Sequence, residues 1–252
     1  MSRAMKLNRN LYDRFLKKAG QVLVENVTIG LGYTAVTVSD GGMGLAGTFF
    51  AGKKPGSLNR DYVDFEGKPA DKLLRLIQDE PMVQRCMALA LINALNYGDA
   101  VNMPQSPGNR FLFDQLGVCK DSKVAMVGFF GPLVEMMKSE NIRLEVLDET
   151  LEMGDPESFA EKLSHWADIL VLTSTSILNN TTEDILDHAG DGVKTVLMGP
   201  STPMVPDVFK PLGVHMLAGA VPMEKEKVLK AVRHGTGTPV IKRFCKQVYA
   251  IL

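Results

Sequence analysis

The chain has 252 residues, 28 basic and 29 acidic side chains, a formal net charge of −1, and no long run of either sign. That balance argues against nucleic acid or an anionic membrane as the main partner, while the length can bury a substantial core in one large domain or two ordinary ones. Cys86, Cys119 and Cys245 lie far apart with no C-x-x-C spacing, so a disulfide framework is not expected and a reducing cytoplasm is the expected location.

The N-terminus, MSRAMKLNRNLYDRFLKKAG, has no apolar core of signal-peptide length, and no segment reaches the apolar length of a membrane span. Asn8–Ala19 reads as an amphipathic helix with Leu11, Phe15 and Leu16 on one face. Val22–Ile29 and Thr34–Val38 are β-branched runs joined by Gly30-Leu31-Gly32. Gly41-Gly42-Met43-Gly44 then breaks the pattern, and Ala46–Phe50 reads as a third strand. Connections this short predict an antiparallel meander. Two helices follow, Ala70–Gln78 and Pro81–Leu95, the second with Pro in its first turn. Residues 1–101 are thus expected to form a small α+β domain.

Asn102–Asn109 (NMPQSPGN) is the expected linker. Beyond it, over residues 110–252, strand and helix signals alternate. Lys123–Val127 precedes a helix through Lys138, Arg143–Leu147 precedes Ser158–Trp166, and Ile169–Leu172 precedes a helix from Thr182. Thr195–Met198 leads to Val205–Phe209, and Val214–Leu217 leads to Glu224–Val232. Five β-then-α units predict a doubly wound, mostly parallel sheet. Lys242, Arg243 and Lys246 read as a solvated helix face.

The apolar runs Ile169–Leu172 and Thr195–Met198 stop abruptly in small polar residues. Ligands of open α/β sheets bind at the carboxyl ends of the strands, so the loops there are the candidate site. The first, Gly128-Phe129-Phe130-Gly131-Pro132, is G-x-x-G rather than the dinucleotide fingerprint. It reads either as the aromatic wall of a pocket or as a tight turn with its phenylalanines packed inward. Asp148 follows Gly128 by the interval at which an acidic residue accepts ribose hydroxyls, although solvated acids after strands are common. The third loop, Thr173–Thr182, carries eight hydroxyl or amide side chains, Thr173, Ser174, Thr175 and Asn179 included. Asn180 or Thr181 would cap the following helix, with Glu183 or Asp184 completing a capping box; the surplus suggests hydrogen bonding to a ligand. Gly199-Pro200-Ser201-Thr202-Pro203 is stiffened by its prolines. In the first half, Gly41, Gly42 and Asn93 are candidates to face the other domain, with a hairpin turn and local backbone bonding as their structural readings.

His165, His188, His215 and His234 show no metal-ligand spacing and read as exposed helix-end or loop residues. No nucleophile elbow or Walker lysine is present.

At Gly30–Thr48, the third loop and MGPSTPMVPDVFKPLGVHMLAG, the chain resembles a bacterial and archaeal family with a proposed role in heavy-metal chelation. The resemblance implies a domain similar to the enolase N-terminal domain, followed by a Rossmann-like domain, with a site in the cleft between them. Carried over loop by loop, it implies that Gly41–Gly44, Gly128–Pro132, Ser174–Asn180 and Gly199–Thr202 line this cleft. It also implies a heavy or transition metal as cofactor. Metal donors would then converge from distant positions or belong to a bound organic chelator. The expectation is a cytoplasmic two-domain protein that binds a small-molecule or metal ligand in the interdomain cleft and serves in heavy-metal chelation or the handling of a metal-containing cofactor. One alternative is a transferase-like enzyme using an adenine-containing cofactor such as S-adenosylmethionine. Another is a non-catalytic sensor or carrier. A homo-oligomer is left open.

Overall fold

The computed structural model describes residues 6–49, 62–78 and 81–252. The chain opens with α1 (Lys6–Ala19), whose buried face is Leu7, Leu11, Phe15 and Ala19; Leu16, expected on that face, is exposed. Then come β1 (Val24–Ile29), β2 (Tyr33–Val38) and β3 (Met43–Gly47), paired antiparallel in that order. The third strand begins at Met43, not Ala46, and Phe50 lies outside the described residues. Gly44 therefore sits inside a strand. The reason is tertiary: a Cβ on Gly44 would lie 2.1 Å from the Ala90 carbonyl oxygen, and one on Gly42 would lie 2.2 Å from that of Ala94. These glycines let a helix press directly on the sheet.

That helix is α3 (Met82–Leu95), preceded by the short α2 (Asp71–Arg75) and followed by α4 (Tyr97–Val101). Pro81 is the N-cap of α3 rather than its first helical residue. Ala88, Leu89, Ala90, Leu91 and Ile92 are all buried, so α3 is apolar on nearly every side. A helix with no polar face must be covered all round, and α1, α2 and the three-stranded sheet cover it.

After the helix α5 (Asn109–Leu116), which its sequence did not announce, the alternating units appear in order. They are β4 (Lys123–Val127), α6 (Gly131–Ser139), β5 (Arg143–Leu147), α7 (Pro156–His165), β6 (Ile169–Thr173), α8 (Thr182–Asp187), β7 (Lys194–Met198), α9 (Pro206–Phe209), β8 (Val214–Pro222), α10 (Lys225–Arg233), α11 (Thr238–Ile241) and β9 (Cys245–Ile251). The sheet order is β5-β4-β6-β7-β8-β9, parallel except for β9. Alternate residues of each central strand feed opposite cores. Val124, Met126, Ile169 and Val171 meet α5 and α6 on one face. Ala125, Leu170 and Leu172 meet α7 and the N-terminal half on the other. Burial on both sides is why these strands are unbroken apolar runs.

The basic cluster is not a helix face. Lys242 and Arg243 lie in a 3₁₀ turn, while Lys246 is on β9 and donates to the carbonyls of Val101 and Met103. The two halves meet along a packed seam. Tyr33, Ala35, Met43 and Leu45 of the small sheet bury against Val228, Val232 and Ile241 of α10 and α11.

Candidate functional site

In the sheet order, the chain runs from β4 to β5 on one side and then crosses to β6 on the other. Crossover helices α6 and α7 consequently lie on opposite faces. The carboxyl ends of β4 and β6 therefore flank the topological switch point, where doubly wound sheets open a crevice. A cavity of about 330 Å³ occupies this place. Val127, Leu147, Phe159, Leu163 and Ile185 give it apolar walls, and Thr173, Thr175, Asn179, Asp148, Glu149, Asp184 and His188 supply its polar groups. Its size falls in the range of small-molecule sites.

Local sequence explains how the loops meet there. Gly128 has φ +88°, and a Cβ on it would lie 2.8 Å from the Thr173 Cβ, so only glycine lets the first loop touch the third. Asp148 ties two loops together: one carboxylate oxygen accepts from the Phe129 N–H at 2.7 Å, the other from the Leu151 N–H at 2.9 Å. Each oxygen keeps a lone pair for a ligand. In the third loop, alternate residues divide. Ser174 and Ser176 are buried, while Thr173, Thr175 and Asn179 face the cavity, with the Thr173 and Thr175 hydroxyls 2.9 Å apart. Phe49 is a lining residue from the N-terminal half, its N–H held 3.3 Å from the Cys86 sulfur. Burial pushes that thiol up to about 11, which keeps it neutral.

Of the expected site residues, Gly128, Asp148, Thr173, Thr175 and Asn179 come together at this cavity. Others are drawn into the seam. The Ser201 hydroxyl accepts the Gly47 N–H at 2.7 Å, and the Asn93 amide donates to the carbonyls of Leu45 at 2.8 Å and Ser201 at 3.1 Å. Asn96 does the same for Met204. Thr202 is buried nearby with no hydrogen-bond partner for its hydroxyl among the described residues. Ser174 lies where a Cβ on Gly199 would come within 2.9 Å of its hydroxyl, and Pro200 continues that turn. Gly41 (φ +82°) and Gly42 form the turn before β3; Asp40 accepts the Gly42 N–H, and Lys225 donates to the Gly41 carbonyl. Phe130 caps α6 and packs into the core, Gly131 begins that helix, and Phe129 is exposed.

Two local expectations change. No side chain caps α8. Thr181 instead donates to Asn179, and Glu183 accepts the Leu7 N–H at the start of α1, beside an Asn8–Asn180 side-chain bond of 2.8 Å. Burial raises the Glu183 carboxyl above its ordinary range, with Asp187 and Asp184 adding to the effect and the Leu7 bond opposing it. His188 is the residue that spacing did not reveal. It ends the short α8, with Nδ1 2.7 Å from the Asp184 carbonyl oxygen, and it lines the cavity. Its only advance signal was its place one turn beyond Asp184.

A larger cavity of about 690 Å³ lies in the N-terminal half between β1 and α3, lined by Val27, Ile29, Val83 and Met87; its margins at Tyr62 and Pro81 adjoin residues outside those described. Among the described residues no helix is long and apolar enough to cross a membrane.

Two family models, both described as "putative heavy-metal chelation", match the chain: DUF4213 over residues 12–96 and DUF364 over residues 112–251. The chain belongs to the DUF364 family. Solved structures of that family share the fold. One, of unknown function, from Desulfitobacterium hafniense, has a TM-score of 0.78 at 21% identity, covering 96% of this chain and 98% of that one. Another, also of unknown function, from Pyrococcus horikoshii, has a TM-score of 0.80 at 19% identity, covering 98% and 100%. An uncharacterized protein of Methanocaldococcus jannaschii is 23% identical over 190 residues, 71% of each chain.

The family description raises the question of whether these residues suit a metal. Among the described residues no group of three or more His, Cys, Asp or Glu could hold an ion. The three cysteines are free, and Cys86 and Cys245 are raised to about 11 and about 12 by burial, far from the thiolate form that binds metal. Among the described residues the donor set does not fit a bare heavy-metal ion.

Proposed function

We propose that this protein binds a small organic molecule, uncharged or cationic, in the crevice at the switch point. The charge of the lining carries the reading. Asp148, Glu149 and Asp184 border the cavity, and among the described residues no Lys or Arg lines it. A phosphate-bearing ligand would meet three carboxylates with no compensating cation among the described lining residues, whereas an amine, a hydroxyl or a positively charged centre would be favoured. The apolar walls match a ligand with a hydrocarbon or planar body. On this reading the family's association with heavy metals concerns the ligand and not a naked ion.

A fragment screen by saturation-transfer NMR tests this, run on wild type and on Ala160→Trp, which fills the cavity from α7. Neutral and cationic fragments should dominate the hits and lose their signal in the variant. Hits drawn mainly from anionic fragments, or unaffected by the variant, would overturn the reading.

A second reading, an adenine-containing cofactor such as S-adenosylmethionine, is favoured by Asp148 standing beside Gly128 at the strand ends. It requires S-adenosylmethionine to raise the melting temperature and Asp148→Asn to reduce that rise; an unchanged melting temperature refutes it.

A further inference from the structure

The third loop lines the cavity on one side and is gripped from behind by the N-terminal half. Leu7 and Asn8 lie in the first turn of α1, and the first N–H groups of a helix have no partner within it. Glu183 accepts the Leu7 N–H at 3.2 Å, and the Asn8 amide donates to the Asn180 side-chain oxygen at 2.8 Å. Leu7, Asn8 and Glu183 are buried, and with Ile177, Asn180 and Thr182 they close without room for a water molecule. Water therefore cannot stand in for either bond. At the other end of the loop, a Cβ on Gly47 would lie 3.2 Å from the Thr175 methyl carbon, and Phe49 just beyond lines the cavity.

The loop gives up local stability to make this joint. Thr181 and Glu183 stand where the start of α8 would use them as caps, yet no side chain caps that helix. Thr181 donates instead to the Asn179 oxygen at 2.7 Å, and Glu183 serves α1. Asn180 has φ +61°, a left-handed conformation that asparagine tolerates better than most residues. Its side chain is bonded to α1, while its neighbours Asn179 and Thr181 line the cavity. Leu7, Asn8 and Asn180 are not among the described lining residues. Departures of this kind from local rules concentrate at functional sites.

We propose that Asn180 is a positioning residue of this site: through its bond to Asn8, α1 sets the loop that presents Asn179 and Thr181, so filling the cavity and docking α1 favour each other. This rests on reading the cavity as a small-ligand site. The coupling is reciprocal. The factor by which the Asn8–Asn180 bond strengthens binding in the cavity is the factor by which binding strengthens the docking of α1.

The test uses benzamidine, a flat cation with an apolar ring, titrated into the full chain and followed at the methyl groups of Leu163 and Ile185 in the cavity wall. Asn180→Gly keeps the left-handed turn and removes the acceptor, whereas Asn180→Asp keeps both. Asn180→Gly should weaken binding roughly fivefold or more, the lower end of ordinary couplings between sites. Asn8→Ala should do the same, and the double variant should lose no more than either alone. Asn180→Asp should bind no more weakly than wild type. Arg14→Ala breaks the exposed Arg14–Asp207 pair elsewhere on α1 and should leave binding unchanged. In wild type, saturating benzamidine should slow hydrogen exchange at the Leu7 amide, and in Asn180→Gly it should not. Circular dichroism melting establishes that each variant is folded. Wild-type binding in Asn180→Gly and Asn8→Ala, additive losses in the double variant, an Asn180→Asp protein as weak as Asn180→Gly, or a Leu7 amide indifferent to benzamidine would each overturn the positioning role and leave the cavity reading standing. Benzamidine that moves neither methyl reporter in wild type would overturn the cavity reading and this inference with it.

Discussion

Replacing Gly44 by Ala asks whether the glycines before and within β3 serve packing or ligand approach. The added Cβ would stand 2.1 Å from the Ala90 carbonyl oxygen and 2.3 Å from the Ala94 nitrogen, while real Cβ contacts essentially never fall below 3.0 Å. Both neighbours are backbone atoms of α3, so no rotamer change relieves the clash. The gap must grow from 2.1 Å to at least 3.0 Å, a retreat of about 0.9 Å by the helix or the strand. A separation of that size forfeits roughly a quarter to a half of the dispersion energy of each contact across the interface. Overpacking generally destabilises by about 1–3 kcal/mol, and with no flexible group to yield we expect the upper end, about 3 kcal/mol. For a chain of this size that corresponds to a fall in Tm of roughly 6–12 °C. Gly98→Ala is the control. This glycine lies in α4 with nothing within 4 Å of its added Cβ, and the change should stabilise by about 0.5–1 kcal/mol. Urea and thermal unfolding measure both. A Gly44→Ala protein within about 0.5 kcal/mol of wild type would refute the packing argument. Wild-type stability with loss of ligand response would point to the ligand-approach role instead.

Three further outcomes are expected. Ser201→Ala strips the Gly47 N–H of its acceptor at the seam and should destabilise by about 1–2 kcal/mol in urea unfolding, the usual penalty for orphaning a partly buried donor. Glu183 holds its proton more tightly in the folded chain because it is buried. Its contribution is therefore fully present below the ordinary carboxylate range and lost as pH rises through the raised folded value. The stability of Glu183→Gln relative to wild type should accordingly increase as pH is raised, and a difference independent of pH would contradict this. Asp148→Ala removes the acceptor shared by the Phe129 and Leu151 N–H groups; both amides should exchange faster with solvent while those of β4 and β5 keep their protection.

Much of the fold could be read in the sequence because its physical causes are local or periodic. The parallel strands are buried on both faces, so Ile169–Leu172 and Thr195–Met198 carry no alternation that a reader could mistake for a surface strand. What escaped was decided by tertiary contacts. Gly44 resembles a turn residue until α3 is laid on it. The strand Cys245–Ile251 is half polar because it is the antiparallel end of the sheet, and Lys246 joins it by reaching two carbonyls of another segment. The loops at the sheet edge were recognisable as polar, but their division was not. Ser201 and Asn93 are used to join the halves, whereas Thr173, Thr175 and Asn179 face open space. His188 gave no spacing signal, since its partner is a carbonyl of its own helix, and the contribution of Phe159 and Leu163 to a cavity looks in sequence like ordinary helix packing.

The central claim is one of place: a small ligand binds at the switch point of the six-stranded sheet. Methyl NMR with the best neutral or cationic fragment tests it most directly, because this cavity and the one between β1 and α3 carry separate methyl reporters. The account predicts shifts at Val127, Leu147, Leu163 and Ile185, with Val27, Ile29, Val83 and Met87 unmoved. Shifts confined to the second group would contradict it.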